Sequence, residues 1–532
     1  MMKKISTIVA TTMALCFAWS GVGCMRGNGD LLNDKINENM TQLWLGVYDG
    51  GLGLQWARNI GNAFQEKYAE TSFEEGKMGV QVNIDPQKSN FEPNILVPNL
   101  QGGATTDDIY FTASMDYEYY VQNGVAEDAT AIWTEKVYDV NGELVGSGGT
   151  KSMLDKVDPW FVDAFKYNDG KYYGFPYEDS LKGFVYDADL FEEKGYQVPE
   201  TMDEFYDLID NMVKDGITPF TWTGANDFYF TTMTTGIVVQ YGGIDAANQN
   251  LFHNGTYDGV EITSENAYLL AGQQGKLEAL KFLRQITSNS QYYSADAFKP
   301  SQSHLIAQSE FLSSVEAAKQ DVSKRRIAML YEGEWWENEA RATFDEMNML
   351  DENYGYGKRN FKFMKLPKID GQQMTQSVMP SFSSGSYAFI NKKAKQKEVA
   401  KLFIQFMHSE SQLETFTTTN GAVLPYDYDL SEAQYNSLTP FAKSVWDLKH
   451  DDDVYVWRTK KACDAAKYMD IELGGISNSE IVSICNGQTY LNALRAFSTS
   501  SVTAEEYFAG HKAYLSKDKW TTEYNRYLAT KG

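Results

Sequence analysis

Hydrophobic positions alternate between strand and helix spacing along the chain, beginning near residue 41. The segment Leu43–Tyr48 is almost wholly apolar and predicts a buried strand. After a glycine-rich turn at 49–53, apolar side chains recur at helical spacing and predict a helix with one buried face. The residues of that face are Trp56, Ile60, Phe64 and Tyr68. Further strands are predicted at 80–84 and 109–111, so the βαβ order indicates a largely parallel sheet covered by helices.

Later segments continue this alternation of helices and strands. Thr201 and Glu204 form a capping box that opens a helix, whose apolar positions then repeat at helical spacing. A second amphipathic helix is predicted over Lys395–His408, directly after a strand at Ser386–Asn391. The C-terminal part of the chain is predicted to be mainly helical. No internal repeat or low-complexity tract is present.

The N-terminus has the pattern of a secretion signal. Two lysines precede an apolar run at Ile5–Phe17, which is too short to span a membrane, and small residues lead to Cys24. These residues resemble the lipobox of bacterial lipoproteins, although Gly21 stands where a larger aliphatic residue is usual. The resemblance implies a signal peptide at 1–23, lipid attachment at Cys24 and a linker over 24–39. A secreted protein without a lipid is the other interpretation.

Composition narrows the classes of partner. The formal net charge of −25 over 532 residues disfavours nucleic acid and an anionic membrane surface as partners. The chain has 34 Tyr, 29 Phe and 11 Trp, and many of them lie among Asp, Asn, Gln and Glu in polar stretches. Flat rings next to polar side chains are what a carbohydrate site needs, because sugars present apolar C–H faces and hydroxyl edges.

Motifs of enzymes and metal sites are missing from the sequence. The five histidines form no zinc-binding pattern, and neither a nucleophile elbow nor a calcium loop occurs, so no metal, cofactor or catalytic residue is predicted. A secreted glycoside hydrolase would need a pair of carboxylates. With 72 acidic residues such a pair can always be found, so this alternative has little support. Cys463 and Cys485 are compatible with a disulfide or with two free thiols.

A resemblance to a known family is carried by the helix predicted from Lys395 and by six segments, namely Gly170–Pro176, Gly183–Phe191, Gly195–Phe205, Arg326–Leu330, Gly333–Trp335 and Gly421–Pro425. Taken together, they resemble the family 1 extracellular solute-binding proteins, the carbohydrate-binding components of ABC importers that include the maltose-binding protein. The resemblance implies an α/β clamp of two lobes, each a mostly parallel sheet flanked by helices. It also implies about three crossings between the lobes, which map near 184–187, 387–391 and 423–428.

This mapping predicts that lobe one comprises 40–185 and 390–425, and that lobe two comprises 188–386 and 430–532. The family implies hinge closure around a sugar or oligosaccharide, delivery to a membrane permease, a monomeric state and a place on the outer face of the cytoplasmic membrane. A protein without lipid would instead be periplasmic or secreted.

Matching to family positions gives the candidate ligand contacts. Lobe one and the first crossing supply Trp56, Ser114, Asp116, Glu178 and Asp179. Lobe two supplies Trp222, Asp227, Tyr229 and Trp335, and the loop at 381–386 is a weaker candidate. Each tryptophan could instead be a core residue, and each carboxylate could be solvated. The mixture of Trp with Asp, Asn and Gln favours a neutral polyhydroxylated ligand. A non-sugar solute or a sensor role is the remaining alternative.

Overall fold

The structure is a computed structural model that describes residues 30–31, 35–87, 92–113, 117–226, 228–381, 386–473 and 493–531. Its strands are β1 (Asp30–Leu31), β2 (Thr41–Tyr48), β3 (Val80–Gln87), β4 (Ile109–Thr112), β5 (Phe175–Pro176), β6 (Lys182–Asp187), β7 (Thr218–Thr221), β8 (Thr256–Tyr257), β9 (Val260–Glu261), β10 (Ile327–Gly333), β11 (Phe361–Met364), β12 (Ser377–Pro380), β13 (Tyr387–Ile390) and β14 (Val454–Trp457).

The α-helices are α1 (Gln55–Lys67), α2 (Pro93–Gly102), α3 (Tyr117–Gln122), α4 (Thr130–Thr134), α5 (Pro159–Phe165), α6 (Ala188–Lys194), α7 (Met202–Lys214), α8 (Phe228–Phe252), α9 (Gln274–Thr287), α10 (His304–Gln320), α11 (Trp336–Glu339), α12 (Arg341–Leu350), α13 (Lys397–Met407), α14 (Glu410–Asn420), α15 (Glu432–Ser437), α16 (Pro440–Lys449), α17 (Asp464–Leu473), α18 (Ala493–Thr499), α19 (Ala504–Tyr514) and α20 (Lys517–Ala529).

The first lobe is built on a sheet with the strand order β1-β3-β2-β4-β13-β5. β2 is central and pairs in parallel with β3 and β4, as the apolar run at Leu43–Tyr48 predicts. α1 lays Trp56, Ile60 and Phe64 onto this sheet, and all three side chains are buried. The helix predicted from apolar spacing is therefore confirmed, and it follows the glycine-rich turn at the carboxyl end of β2.

The second lobe is built on a sheet with the strand order β11-β6-β10-β7. Every residue of β6 and β10 is buried, because helices such as α7, α8 and α10 cover the sheet. α7 begins with the predicted capping box, in which Thr201 and Glu204 each bond to the other's backbone N–H. The carboxyl end of β10 leads straight into Glu334, Trp335 and the short helix α11.

The chain passes between the two sheets at three places, as the family implies. Residues 177–181 join β5 to β6, residues 381–386 join β12 to β13, and the chain from Gly421 leaves α14 for α16, which packs on β11. Because Lys182 already pairs with Gly333 in the second sheet, the first crossing lies before β6 rather than at 184–187. The lobe boundaries themselves stay a prediction.

The α/β fold is confirmed, but both sheets are mixed rather than mostly parallel. β13 runs antiparallel to β4 and β5, and β6 runs antiparallel to β10 and β11. Both strands are reached directly by a crossing from the other lobe.

Most of the described C-terminal residues lie in helices α17–α20, as the sequence predicts. α18 and α19 pack against α9. A second hydrophobic cluster joins Leu270, Met469, Leu515 and Trp520, so α17, α19 and α20 share a small core of their own. Within the described ranges, no helix combines the length and the apolar character needed to cross a membrane.

Candidate binding site between the lobes

The aromatic side chains of Trp335, Tyr229 and Tyr48, here called the aromatic corner, lie where the two lobes touch. Trp335 follows β10 of the second lobe, and its ring lies against Gly51, in the loop after β2 of the first lobe. A Cβ atom added to Gly51 would lie 2.8 Å from Trp335 Cγ, so only glycine allows this approach. The Tyr229 ring is 6.3 Å from that of Trp335 at 73°, and Lys182 Nζ lies 4.6 Å from the centre of the Tyr229 ring.

Tyr48 extends the corner from the side of the first lobe. It is the last residue of β2 and is half-buried. Burial raises the pKa of the Tyr48 hydroxyl, and the negative charges of Glu339, Glu178 and Asp49 raise it further. Its hydroxyl therefore faces carboxylates that belong to the second lobe and to the first crossing.

A pair of glutamates lies behind the rings on the second lobe. Gln308 of α10 donates from one amide nitrogen to both, at 3.1 Å to Glu332 Oε1 and 2.8 Å to Glu339 Oε2. Burial and the charge of Glu339 raise the pKa of Glu332, and burial raises the pKa of Glu339. Glu332 is 1 % exposed, whereas Glu339 keeps 16 % of its side chain open, so access to the pair is from the side of Glu339.

A second acidic group, two residues further along, has a full set of partners. Glu334 accepts the backbone N–H of Leu181 at 2.9 Å and that of Val423 at 2.8 Å. Lys449 Nζ lies 3.0 Å from Glu334 Oε2 and donates to the carbonyl oxygens of Asp179 and Val423. Because 177–181 is the first crossing and Val423 begins the third, this ion pair ties two crossings to the second lobe.

Asp179 belongs to the same hinge region. Arg458 contacts both of its carboxylate oxygens, with Nη2–Oδ2 at 2.7 Å and Nε–Oδ1 at 3.0 Å. Ser381 of the second crossing donates to Asp179 Oδ1 at 2.6 Å. Arg458 also pairs with Asp158 of the first lobe at 3.2 Å. Asp179 is thus a partner in a buried ion pair that joins crossings and lobes.

Glu178 lies between the hinge and the aromatic corner. Ser180 donates to Glu178 Oε1 at 2.7 Å, and Ser386 is a second hydroxyl partner. Burial raises the pKa of Glu178, and the two serine hydrogen bonds oppose that rise. Its negative charge raises the pKa of both Tyr48 and Tyr229, which places it at the junction of the lobes.

The structure separates the predicted contacts into three groups. Trp335, Tyr229, Glu178 and Asp179 come together at the junction. Trp56 and Trp222, at 1 % and 0 % exposure, pack in the cores of the first and second lobes, which disfavours direct contact with a ligand. Ser114, Asp116 and Asp227 lie outside the described residues, as do Cys24, Cys485 and most of the weaker loop at 381–386. All of them stay predictions as ligand contacts.

The sequence analysis did not predict several residues of the junction, namely Tyr48, Lys182, Gln308, Glu332, Glu334 and Glu339. One signal was available: an otherwise apolar buried strand ends in Glu332-Gly333-Glu334, and charged residues in such a strand need a reason. Tyr48 likewise ends a buried strand at the edge where ligands of α/β sheets bind.

Chemically, the junction offers aromatic rings and hydrogen-bonding groups. Rings from both lobes flank carboxylates, an amide and one ammonium, which suits a polyhydroxylated molecule held between the lobes. In the described part of the chain, no three His, Cys, Asp or Glu side chains are grouped so as to hold a metal ion.

Comparison with known proteins gives the class. The family model "Bacterial extracellular solute-binding protein" matches residues 69–436, which is more than half of the chain. The protein therefore belongs to this family, whose members bind solutes outside the cytoplasm. No curated protein matches the chain.

Solved structures of sugar-related binding proteins share the fold. The raffinose complex of the solute-binding protein RafE is 14 % identical with a TM-score of 0.57, and the match covers 91 % of this chain and all of RafE. A structure from work on xylan utilization by Caldanaerobius polysaccharolyticus is also 14 % identical at 0.57, covering 89 % and 100 %. A chitin oligosaccharide binding protein is 15 % identical at 0.55, covering 91 % and 100 %. At this identity the likeness shows the two-lobed fold.

Proposed function

We propose that this protein is the substrate-binding component of an ABC importer, which captures a sugar or oligosaccharide outside the cell and delivers it to a membrane permease. The family match supports solute binding, and the similar structures include a raffinose complex, a protein from work on xylan utilization and a chitin oligosaccharide binding protein. The observation that carries the proposal is the Trp335 ring against Gly51, with Tyr229 and Tyr48 beside it.

Capture proceeds by hinge closure. The ligand binds one lobe while the hinge is open, and closure brings Trp335 and Tyr48 to opposite sides of it. Only a ligand that interacts better with the closed state shifts the equilibrium toward closure. Micromolar affinity needs about −8 kcal/mol, which a few ring contacts and several buried hydrogen bonds can supply after ordering costs.

The proposal includes attachment of the mature chain through lipid on Cys24 to the outer face of the cytoplasmic membrane, with a monomeric working state. The lipobox-like sequence supports the anchor. Removing Cys24 by Cys24→Ala should release the protein into the culture medium, and retention of the variant in the membrane fraction would contradict it.

Calorimetry against a panel of mono- and oligosaccharides tests the function. We expect one class of sugar to bind with micromolar or better affinity, and Trp335→Ala to weaken that binding by about 2 kcal/mol, because a ring stacked on the sugar is lost. Trp336→Phe is the matched control: Trp336 is a fully buried tryptophan that packs on Phe311 and Phe361 of the same lobe, so its loss should lower stability but not affinity.

Unchanged affinity in Trp335→Ala would remove Trp335 from the site. Products released from the oligosaccharides by the wild-type protein would instead favour the glycoside hydrolase, for which the family and the similar structures offer no support.

A further inference from the structure

Two of the carboxylates at the junction lack a strong cation beside them. Among the described residues, no lysine or arginine nitrogen lies within 4 Å of the carboxylate of Glu332 or Glu339. His304 Nε2 is 3.6 Å from Glu339 Oε1. Lys182 acts on Glu332 only at longer range. Burying like charges without cations is costly, and burial accordingly raises the pKa of both acids.

Gln308 adds an independent observation. Its side chain is fully buried, its amide nitrogen donates to both glutamates, and its Oε1 has no hydrogen-bond partner in the described part of the chain. Both atoms belong to one amide group, so the unpartnered Oε1 is on the side chain that contacts both acids. A buried acceptor without a partner can take a donor that arrives from elsewhere.

The chemistry of this cluster fits one kind of donor. An ammonium has three N–H donors and no acceptor, and the Glu332 carboxylate, the Glu339 carboxylate and Gln308 Oε1 are three acceptors. A hydroxyl supplies a single hydrogen, and an N-acetyl amide supplies one hydrogen with a bulky acyl group. Only the ammonium also brings the positive charge that the two carboxylates need when both are ionised.

We propose that the carbohydrate bound between the lobes carries a protonated primary amine, that is, an amino sugar, whose ammonium is held by Glu332, Glu339 and Gln308. This inference rests on the proposed function and replaces the expectation of a neutral ligand. The amine reaches the cluster past Glu339 while the hinge is open, and the sugar ring lies against Trp335 and Tyr229.

Binding should release protons. Burial favours the protonated form of the pair in the free protein, and an ammonium favours the ionised form. The other titratable groups that face the pair are Lys182 of β6, Tyr229 of α8, His304 of α10, Tyr48 of β2 and Glu178 of the first crossing.

The test is calorimetry of the wild-type protein with glucosamine oligosaccharides, their N-acetylated counterparts and glucose oligosaccharides of the same length, in buffers of different ionisation enthalpy. We expect the amine form to bind at least about tenfold more tightly than the other two, with protons released to the buffer. Glu332→Gln and Glu339→Gln should each remove most of this preference.

Glu337→Gln is the matched control, because Glu337 is equally buried on α11 but bonds to Thr439 rather than to Gln308. It should keep the preference. Equal or tighter binding of the N-acetylated or glucose forms would overturn the amino-sugar inference and leave the carbohydrate function intact. Failure of every sugar in the panel to bind would contradict the proposed function and the inference together. Because the comparison of sugars uses the wild-type protein, it tests the amino-sugar inference even if a variant fails to fold.

Discussion

Glu332 and Glu334 stand two residues apart at the end of one buried strand, yet their surroundings are opposite. Glu334 has Lys449 and two backbone N–H groups as partners, and those groups belong to the crossings of the hinge. Glu332 also accepts a backbone N–H, that of Gly333 at 2.8 Å, but it shares the Gln308 amide nitrogen with a second glutamate and pairs with no cation among the described residues. Burial raises the pKa of both acids. Lys449 and the two N–H donors oppose the rise at Glu334, whereas at Glu332 the charge of the second glutamate adds to the rise and only hydrogen bonds from neutral groups and a more distant lysine oppose it.

The two acids therefore have different roles, one in holding the structure together and one in recognising a ligand. A buried acid with every lone pair engaged belongs to the architecture, because its charge is already neutralised. A buried acid paired with another acid is costly to the folded protein, and such sites cluster where a ligand is bound. In this molecule the first kind holds the hinge together and the second kind lies beside the aromatic corner.

The largest expected effect comes from breaking the hinge pair. Lys449→Met leaves Glu334 buried without its cation and should lower the free energy of unfolding by about 3–5 kcal/mol. Urea denaturation measures this change. Lys443→Met on the same helix is the control. Among the described residues Lys443 contacts the carbonyl oxygen of Asn436 in α15 at 3.2 Å and a tyrosine ring, so the change should cost less than about 1 kcal/mol. Equal losses in the two variants would refute the hinge role of Lys449.

The pair of Glu332 and Glu339 should make the free energy of unfolding depend on pH. Burial and Glu339 raise the pKa of Glu332 to about 8, so the folded state binds a proton that the unfolded state loses above about pH 4.5. Its contribution to stability is present at low pH and is lost as pH rises toward 8. We expect the wild-type protein to lose about 2–4 kcal/mol over this interval relative to Glu332→Gln.

Denaturation curves at several pH values measure that difference. Glu265→Gln makes the same chemical change at an exposed position and should follow the wild-type profile. Parallel profiles for wild type and Glu332→Gln would show that Glu332 is not held protonated, and the contrast with Glu334 would lose its basis.

A smaller effect is expected from the contact between the lobes. Gly51→Ala places a Cβ 2.8 Å from Trp335 Cγ and so opposes closure without touching either core. Sugar affinity should fall about tenfold, or about 1.4 kcal/mol, while the unfolding free energy changes little. Gly102→Ala, at a helix end with open space around it, is the control. Full affinity in Gly51→Ala would mean that closure does not bring these two residues together.

Much of the fold was predictable because it rests on local patterns. A few neighbouring residues determine each of three features: the apolar run of β2, the buried face of α1 and the capping box of α7. The antiparallel direction of β6 and β13 could not be predicted in this way, because the direction of a strand after a crossing depends on contacts between distant segments.

The site was less predictable, for a physical reason. Trp335 and Trp56 both follow glycines near strand ends, and nothing local distinguishes the ring at the junction from the ring in the core. The pairing of Glu334 with Lys449, and the sharing of Gln308 by two glutamates, join residues far apart in sequence. Such pairings need the fold before they can be seen.

The most direct test is a crystal structure of the protein with its carbohydrate bound. We predict the sugar between the lobes, its ring against Trp335 and its polar groups on Glu332 and Glu339, while Glu334 remains paired with Lys449. A sugar bound away from the junction, or one that displaces Lys449 from Glu334 and leaves Glu332 and Glu339 untouched, would contradict this assignment of the two acids.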